Sequence, residues 1–318
     1  MFIEFGEPQS VLKSNIFDYK ETYLIGGFYE PPISMMGLAK SLRANGMHSS
    51  AIYAKRNIIS ASVDLKGNLL TREDLNKIIL EYIIFGNSYT PRVKNALGKT
   101  TKLQHVPALY MRQREKEDRY SYVTGSQILN YKTGSVLHLS EYDVMQEVYG
   151  IPQYFGALSS VWLNEEATLF RRKYYINGAH SGFLLYMNNP NLTTDQEKEI
   201  KAQLNSAKGL GNFKNMFVNG KGKDKEKPEI IPVGQITAKD EFSNIKNVST
   251  SDILAAHRVP PDLMSIMREG FSQSGDLNKI DKIFYKNEVL PVIEILLSIN
   301  DFAGVEVIKT KEYKPVDA

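Results

Sequence analysis

Between Gly156 and Tyr175 the chain has neither glycine nor proline, and Leu158, Val161, Trp162, Leu169 and Phe170 recur on roughly one side. A 3.6-residue period lines such positions along one stripe, so the spacing predicts a long α-helix. The stripe has a gap at Asn164, Glu165 and Glu166. Four positions beyond the two acids stand Leu169 and Phe170, and Arg171 and Arg172 likewise lack acids at that spacing. None of these charges can therefore pair along its own helix. If the helix packs beside copies of itself, Glu165 and Glu166 of one copy can meet Arg171 and Arg172 of the next, which makes the four candidate interface residues.

A second long helix is expected from Ala238 to Val259, with an interruption near Ser249 and a stop at Pro260-Pro261. Unbroken, it would run about 33 Å. Residues 176–235, between the two helices, read as a small separate unit. It has a strand Gly182 to Met187, a polar helix from the Thr193-Thr194 cap to about Ala207, and a strand Met216 to Val218. A hairpin tip at Asn219 to Lys223 and a return strand Glu229 to Ile231 follow. Between Lys201 and Lys227 seven lysines stand against two acids. A solvated face explains that run as well as contact with DNA phosphates or an acidic partner does.

The first 150 residues are mixed. Helical pieces surround Asn45-Gly46, and Leu75, Ile78, Ile79, Tyr82 and Ile83 follow the cap Thr71 at helical spacing up to Gly86-Asn87. Short strands are expected through Ser88 to Val93, around Leu103, and at Tyr120 to Val123 and Val136 to His138. Beyond a loop from Met267 to Gly275, a third helix should start near Asp276, with Leu277, Ile280, Ile283 and Phe284 on one face and Pro291 kinking or ending it. The fold class expected is α+β.

Composition narrows the chemistry. Cysteine is absent, which excludes disulfides, thiolate metal sites and thiol catalysis. No apolar run approaches a membrane span, and Met1 to Gly6 leads into polar sequence without a leader pattern, so neither membrane insertion nor export by a leader is expected. A net charge of +3 is too balanced for tight, whole-surface binding to nucleic acid. His138 with Glu141, Asp143 and Glu147 is the densest metal-ligating cluster, but a solvated loop at a strand end is the favoured reading. His257, at a helix end before Pro260-Pro261, is read as a cap on helix carbonyls. Lys208 to Lys214 looks like a phosphate loop, yet it follows a helix and lacks the Gly-Lys-Ser/Thr ending. No catalytic elbow or acid–base pair stands out, so no enzyme and no cofactor is expected.

From Tyr29-Glu30-Pro31-Pro32 onward the chain resembles a known family. The segments that carry the likeness include GFYEPPISMMGLAKSLRANGMHSSAIYAKRN, YIIFGNSYTPRV, LQHVPALYMR and KGLGNFKNMFV, and above all NEEATLFRRKYYINGAH and DILAAHRVPP. They are similar to the portal proteins of contractile-tailed phages and prophages, the PBSX/gpQ type. The resemblance implies a portal fold with a mixed wing, long stem helices, a small α+β clip and a helical crown-proximal end. On that pattern residues 1–155 are the wing, 156–177 the first stem helix, 178–235 the clip, 236–260 the second stem helix, 261–275 the tunnel loop and 276–318 wing and crown helices.

The family's function would follow: a homo-oligomeric ring, typically of twelve subunits, at one capsid vertex, through which double-stranded DNA is packaged and ejected. Partners implied are the terminase large subunit, the major capsid or scaffold protein and a head-completion connector, with assembly in the host cytoplasm and final placement in the virion. Lys221, Lys223, Lys225 and Lys227 would contact DNA or the motor at the clip, Met267, Arg268 and Phe271 would line the tunnel loop, and Glu165, Glu166, Arg171 and Arg172 would lie at subunit interfaces or on the channel wall. The rival reading is a monomeric, non-specific DNA-binding protein.

Overall fold

The computed structural model describes residues 24–116, 118–125, 127–176, 183–188, 191–206, 216–219, 226–232, 238–264 and 276–314. Two compact units emerge. One is built from residues up to Val161 and from Ser251 onward, the other from Trp162–Thr250. The chain leaves the first and returns to it within long helices.

The first unit opens with a two-stranded ribbon, β1 (Leu24–Ile25) and β2 (Phe28–Tyr29), and two helices, α1 (Met35–Ala44) and α2 (Gly46–Ala61). Asn45 ends α1 and caps α2, its Oδ1 accepting from the amides of Met47 and His48 at 2.8 and 3.1 Å. After β3 (Val63–Leu65), α3 (Arg72–Phe85) starts at Thr71, whose hydroxyl accepts from the Asp74 amide at 3.0 Å. Glu73 and Asp74 sit in its first turn, where the helix dipole favours them. Gly86 closes the helix at φ +65°.

Strands β4 (Asn87–Lys94), β5 (Thr100–Leu103), β6 (Met111–Gln113), β7 (Tyr120–Thr124), β8 (Gln127–Asn130) and β9 (Val136–Ser140) follow in two antiparallel sheets, ordered β5-β4-β9 and β6-β7-β8. A 3₁₀ turn, Phe155–Ala157, leads into α4 (Leu158–Ile176).

The second unit pairs the later part of α4 with α6 (Ala238–His257). Between them lie β10 (Phe183–Asn188), α5 (Thr194–Ser206), β11 (Met216–Asn219) and β12 (Glu226–Pro232). The sheet order is β11-β10-β12, with β11 parallel and β12 antiparallel to β10. Helix α6 is continuous through Ser249, where an interruption was expected; the reason lies in its partner on α4, below.

Beyond a 3₁₀ turn at Pro261–Met264, α7 (Leu277–Phe284) passes into a π-helical turn, Tyr285–Val289, and then α8 (Leu290–Ala303). Pro291 does not end the run, but the regular α-helix is broken by the π-helical turn just before it. The proline sits in the first turn of α8, where its missing N–H costs nothing, and the wider π turn precedes it. The last described element is a strand rather than a helix. β13 (Ile308–Thr310) pairs antiparallel with β3, and Asn300 holds it there through Oδ1, which accepts from the Val307 and Ile308 amides at 2.8 Å each.

The core of the first unit gathers buried residues from α2, α3, α6 and α8. Leu75, Ile78 and Ile79 pack with Ile293, Leu296 and Ile299, joined by Ala51 and Ile59 of α2 and by Leu254 of α6. These residues come from both flanks of the second unit, so the first is completed only by the returning chain.

Candidate functional site

Three regions carry the residues that the sequence singles out: the α4–α6 pair, the junction where α6 ends, and the small sheet. In the helix pair the gap in the apolar stripe of α4 is filled by a buried amide. Asn164, 5% exposed, donates through Nδ2 to the hydroxyl of Ser249 at 2.7 Å, and Ser249, 1% exposed, donates in turn to the Ile245 carbonyl at 2.6 Å. A buried amide without partners would oppose packing, whereas this relay is satisfied within the helix pair and fixes its register. It also explains why α6 runs unbroken through Ser249. The serine spends its hydrogen bond back along its own helix and offers its oxygen to α4.

The charged residues in and beyond the gap are more exposed than Asn164. Glu166, Arg171 and Arg172 are exposed and Glu165 is half-buried, and among the described residues none of the four has an ion pair. Exposed apolar side chains accompany them: Leu163 and Leu169 on α4, Val248 on α6.

At the junction α6 ends on His257, followed by Arg258 in the left-handed region at φ +54°. His257 does not cap carbonyls as expected. Its Nε2 lies 2.9 Å from Nδ1 of His48 on α2, and both rings lie against Tyr154, with centroids 5.0 and 4.7 Å from that ring. Burial pushes both imidazoles down, His48 to about 4 and His257 to about 3, and the latter is lowered further by His48 and Lys55. The pair is therefore neutral, one ring donating and the other accepting.

Beside it Lys55 Nζ meets Glu288 Oε2 at 2.8 Å with both side chains under 10% exposed, and Arg258 Nη1 approaches the other carboxylate oxygen at 3.4 Å. Glu288 belongs to the π-helical turn, so one carboxylate ties the end of α6 to the α7–α8 run. The adjacent cavity, bordered by Lys55, Glu141, Tyr154 and His257, measures about 30 Å³, enough for a water molecule and too small for a substrate.

The metal-site reading fails on geometry. His138 is half-buried, bonded through Nε2 to Asn87 Oδ1 at 2.9 Å and stacked on Tyr89. Glu141 accepts from the Tyr82 hydroxyl, and Asp143 accepts from the Met145 amide within its own loop. No group of three or more His, Asp or Glu side chains able to hold a metal exists among the described residues.

Asn87 is a hub that sequence reasoning missed. Its Oδ1 also accepts from the Gly150 amide at 2.9 Å, and its Nδ2 donates to the Phe85 and Gly150 carbonyls at 2.8 and 2.7 Å. Gly86 and Gly150 approach so closely that a Cβ on Gly150 would lie 2.3 Å from the Gly86 oxygen. This clasp sets the chain on its course into α4.

Of the other expected site residues, Lys221, Lys223 and Lys225 lie outside the described residues, as do Met267, Arg268 and Phe271. Lys227 falls on β12, one position into a strand that begins earlier than the expected return strand at Glu229. In the same unit Glu197 of α5 accepts from Asn219 of β11 at 3.0 Å, which seats the helix on the sheet.

A sequence profile described as phage portal protein matches residues 68–298. A probable portal protein of Escherichia phage P2 is 42% identical over 97% of this chain and 90% of its own length. Among solved structures, the neck of an empty gene transfer agent particle aligns with a TM-score of 0.66 at 15% identity, covering 90% of this chain and 86% of the other. An HK97-family phage portal protein from Corynebacterium diphtheriae aligns at 0.62 with 11% identity, covering 86% and 94%. At such identities the two structures establish a shared fold, while the profile and the phage relative establish descent.

Proposed function

The chain belongs to the phage portal protein family, and we propose on that premise that its copies close into a ring at one capsid vertex and form the passage for double-stranded DNA. The observation that carries this reading is the α4–α6 pair. Its register is locked internally by Asn164 and Ser249, while Glu165, Glu166, Arg171 and Arg172 form no ion pair among the described residues. A helix pair rigid within a subunit and chemically unfinished outside suits repetition around an axis. Such a ring requires two different faces on each subunit, since a twofold contact cannot propagate.

In this reading α4 and α6 are the stem, residues 178–235 the clip, 261–275 the tunnel loop, and the first unit the wing with the helices that follow. Lys221, Lys223, Lys225 and Lys227 contact DNA phosphates or the packaging motor, and Met267, Arg268 and Phe271 narrow the channel. The terminase large subunit, the major capsid or scaffold protein and a head-completion connector are the partners. The role is structural rather than catalytic. A net charge of +3 supports weak, sequence-independent DNA contact, because each phosphate neutralised by lysine tightens binding and a strongly basic bore would act as a brake.

The test is native mass by light scattering, with negative-stain imaging of the same sample. Rings with a central hole and a mass near twelve times 36.0 kDa are expected. A monomer that stays monomeric with capsid or scaffold protein present, yet binds duplex DNA with a steep salt dependence, overturns the reading in favour of a monomeric DNA-binding protein.

A further inference from the structure

Charge in the first unit is segregated along the chain. From Glu81 to Glu115 there is no intervening acid, and from Lys132 to Arg171 no intervening lysine or arginine. The structure turns this into two surfaces at opposite ends of one sheet. At one end the β4–β5 hairpin exposes Val93, Lys94, Lys99 and Lys102, with Leu97 at its tip 92% exposed. At the other end, where Ser140 of β9 pairs with Asn87 at the start of β4, the chain enters a loop that exposes Tyr142 at 81%, Val144 at 83% and Met145 at 59%, with Glu147 also exposed. That loop and Tyr29 border an open cavity of about 840 Å³. Strand β4 separates the two surfaces by roughly 23 Å, at about 3.3 Å per residue.

We propose that these are the two halves of one contact between neighbouring copies: the basic hairpin of one subunit, led by Leu97, seats in the acidic, apolar-rimmed cavity at residues 142–147 of the next. The proposal rests on the ring reading and names the partner of that assembly as a second copy of this chain. One end offers lysines around an apolar knob, and the other a cavity that holds carboxylates and is rimmed by apolar side chains. Complementary charge of this kind selects the partner and its orientation. Because both ends belong to one sheet, the contact is head-to-tail, as ring closure demands, and a copy cannot satisfy its own socket across the length of β4. Three large apolar groups on one short loop also form the kind of contiguous patch that marks an interaction site.

The absence of native cysteine makes the test direct. In the double variant Leu97→Cys/Met145→Cys the two thiols of one chain are too far apart to join, so every disulfide is between copies. Mild oxidation of assembled protein should give a ladder of cross-linked multiples on a non-reducing gel, and each single variant none above dimer. The triple variant Lys94→Glu/Lys99→Glu/Lys102→Glu should raise the concentration needed for assembly at least tenfold, and adding Asp143→Lys/Glu147→Lys should restore it. Intact rings without a ladder, or rings indifferent to charge reversal, overturn the docking alone and assign the cavity to another occupant, the chain's own residues 1–23 or a different protein. Wild-type protein that forms no ring overturns the ring reading, and the docking falls with it.

Discussion

His48 Nδ1 and His257 Nε2 sit 2.9 Å apart in a buried site. Only the neutral pair is stable there. Both pKa values are depressed below the ordinary 6.5, to about 4 and about 3. The unfolded chain therefore binds protons first as pH falls. Stability is complete above pH 6.5 and drains as pH drops toward 4, by about 1.4 kcal/mol per unit for each histidine. Urea midpoints should fall between pH 7 and pH 5. His138, lowered to about 3 by burial, adds its share, so the double variant His48→Gln/His257→Gln should keep roughly a third of the slope. A flat profile in the wild type refutes this account.

Lys55 and Glu288 form a buried pair, and removing one partner strands the other. Lys55→Met should cost about 3–5 kcal/mol, moderated by Arg258 at 3.4 Å from the same carboxylate. Lys55→Met/Glu288→Leu should recover most of that loss in chemical denaturation, because no uncompensated charge remains. A double variant no better than the single would show that the charges themselves stabilise the site.

The clasp between Gly86 and Gly150 predicts a sharp contrast between two alanines. Gly150→Ala places a methyl 2.3 Å from the Gly86 oxygen and 2.4 Å from that of Glu141, backbone atoms that cannot step aside. It should lower stability by about 3 kcal/mol or leave the protein insoluble. Gly156→Ala meets nothing within 4 Å and should be neutral within about 0.5 kcal/mol by thermal melting.

In the helix pair the order of two substitutions separates hydrogen bonding from charge. Asn164→Leu removes the bonds but leaves Ser249 bonded to Ile245, for a cost of about 1–2 kcal/mol. Asn164→Asp buries a carboxylate at pH 7 and should cost more, with part of the loss recovered on acidification. Equal melting temperatures for the two would contradict the relay.

The helices were legible because each carries its own signal: the cap at Thr71, the unbroken run after Gly156, the stop at Pro260. The gap at Asn164 was visible, and its acids were read as lacking partners along their own helix, but the amide was not seen as a pin because its partner lies 85 residues away. His257 was misread for the same reason, since its partner on α2 is 209 residues distant. An irregularity at Pro291 was foreseen, but not its form, because a π-helical turn leaves no mark in side-chain periodicity. The clasp at Gly150 depends on two backbones meeting, which no residue type announces.

Lys55 and Glu288 stand 233 residues apart in the chain, on either side of the whole second unit. At about 5–20 residues per second of synthesis, Lys55 emerges roughly ten to fifty seconds before the carboxylate that will neutralise it. Through that interval the apolar faces of α2 and α3 lack α8, so the nascent chain displays its stickiest surface while still tethered to the ribosome. Aggregation during synthesis, rather than instability of the finished subunit, is thus the hazard this chain order creates, and slowing translation after Thr250 should lower soluble yield.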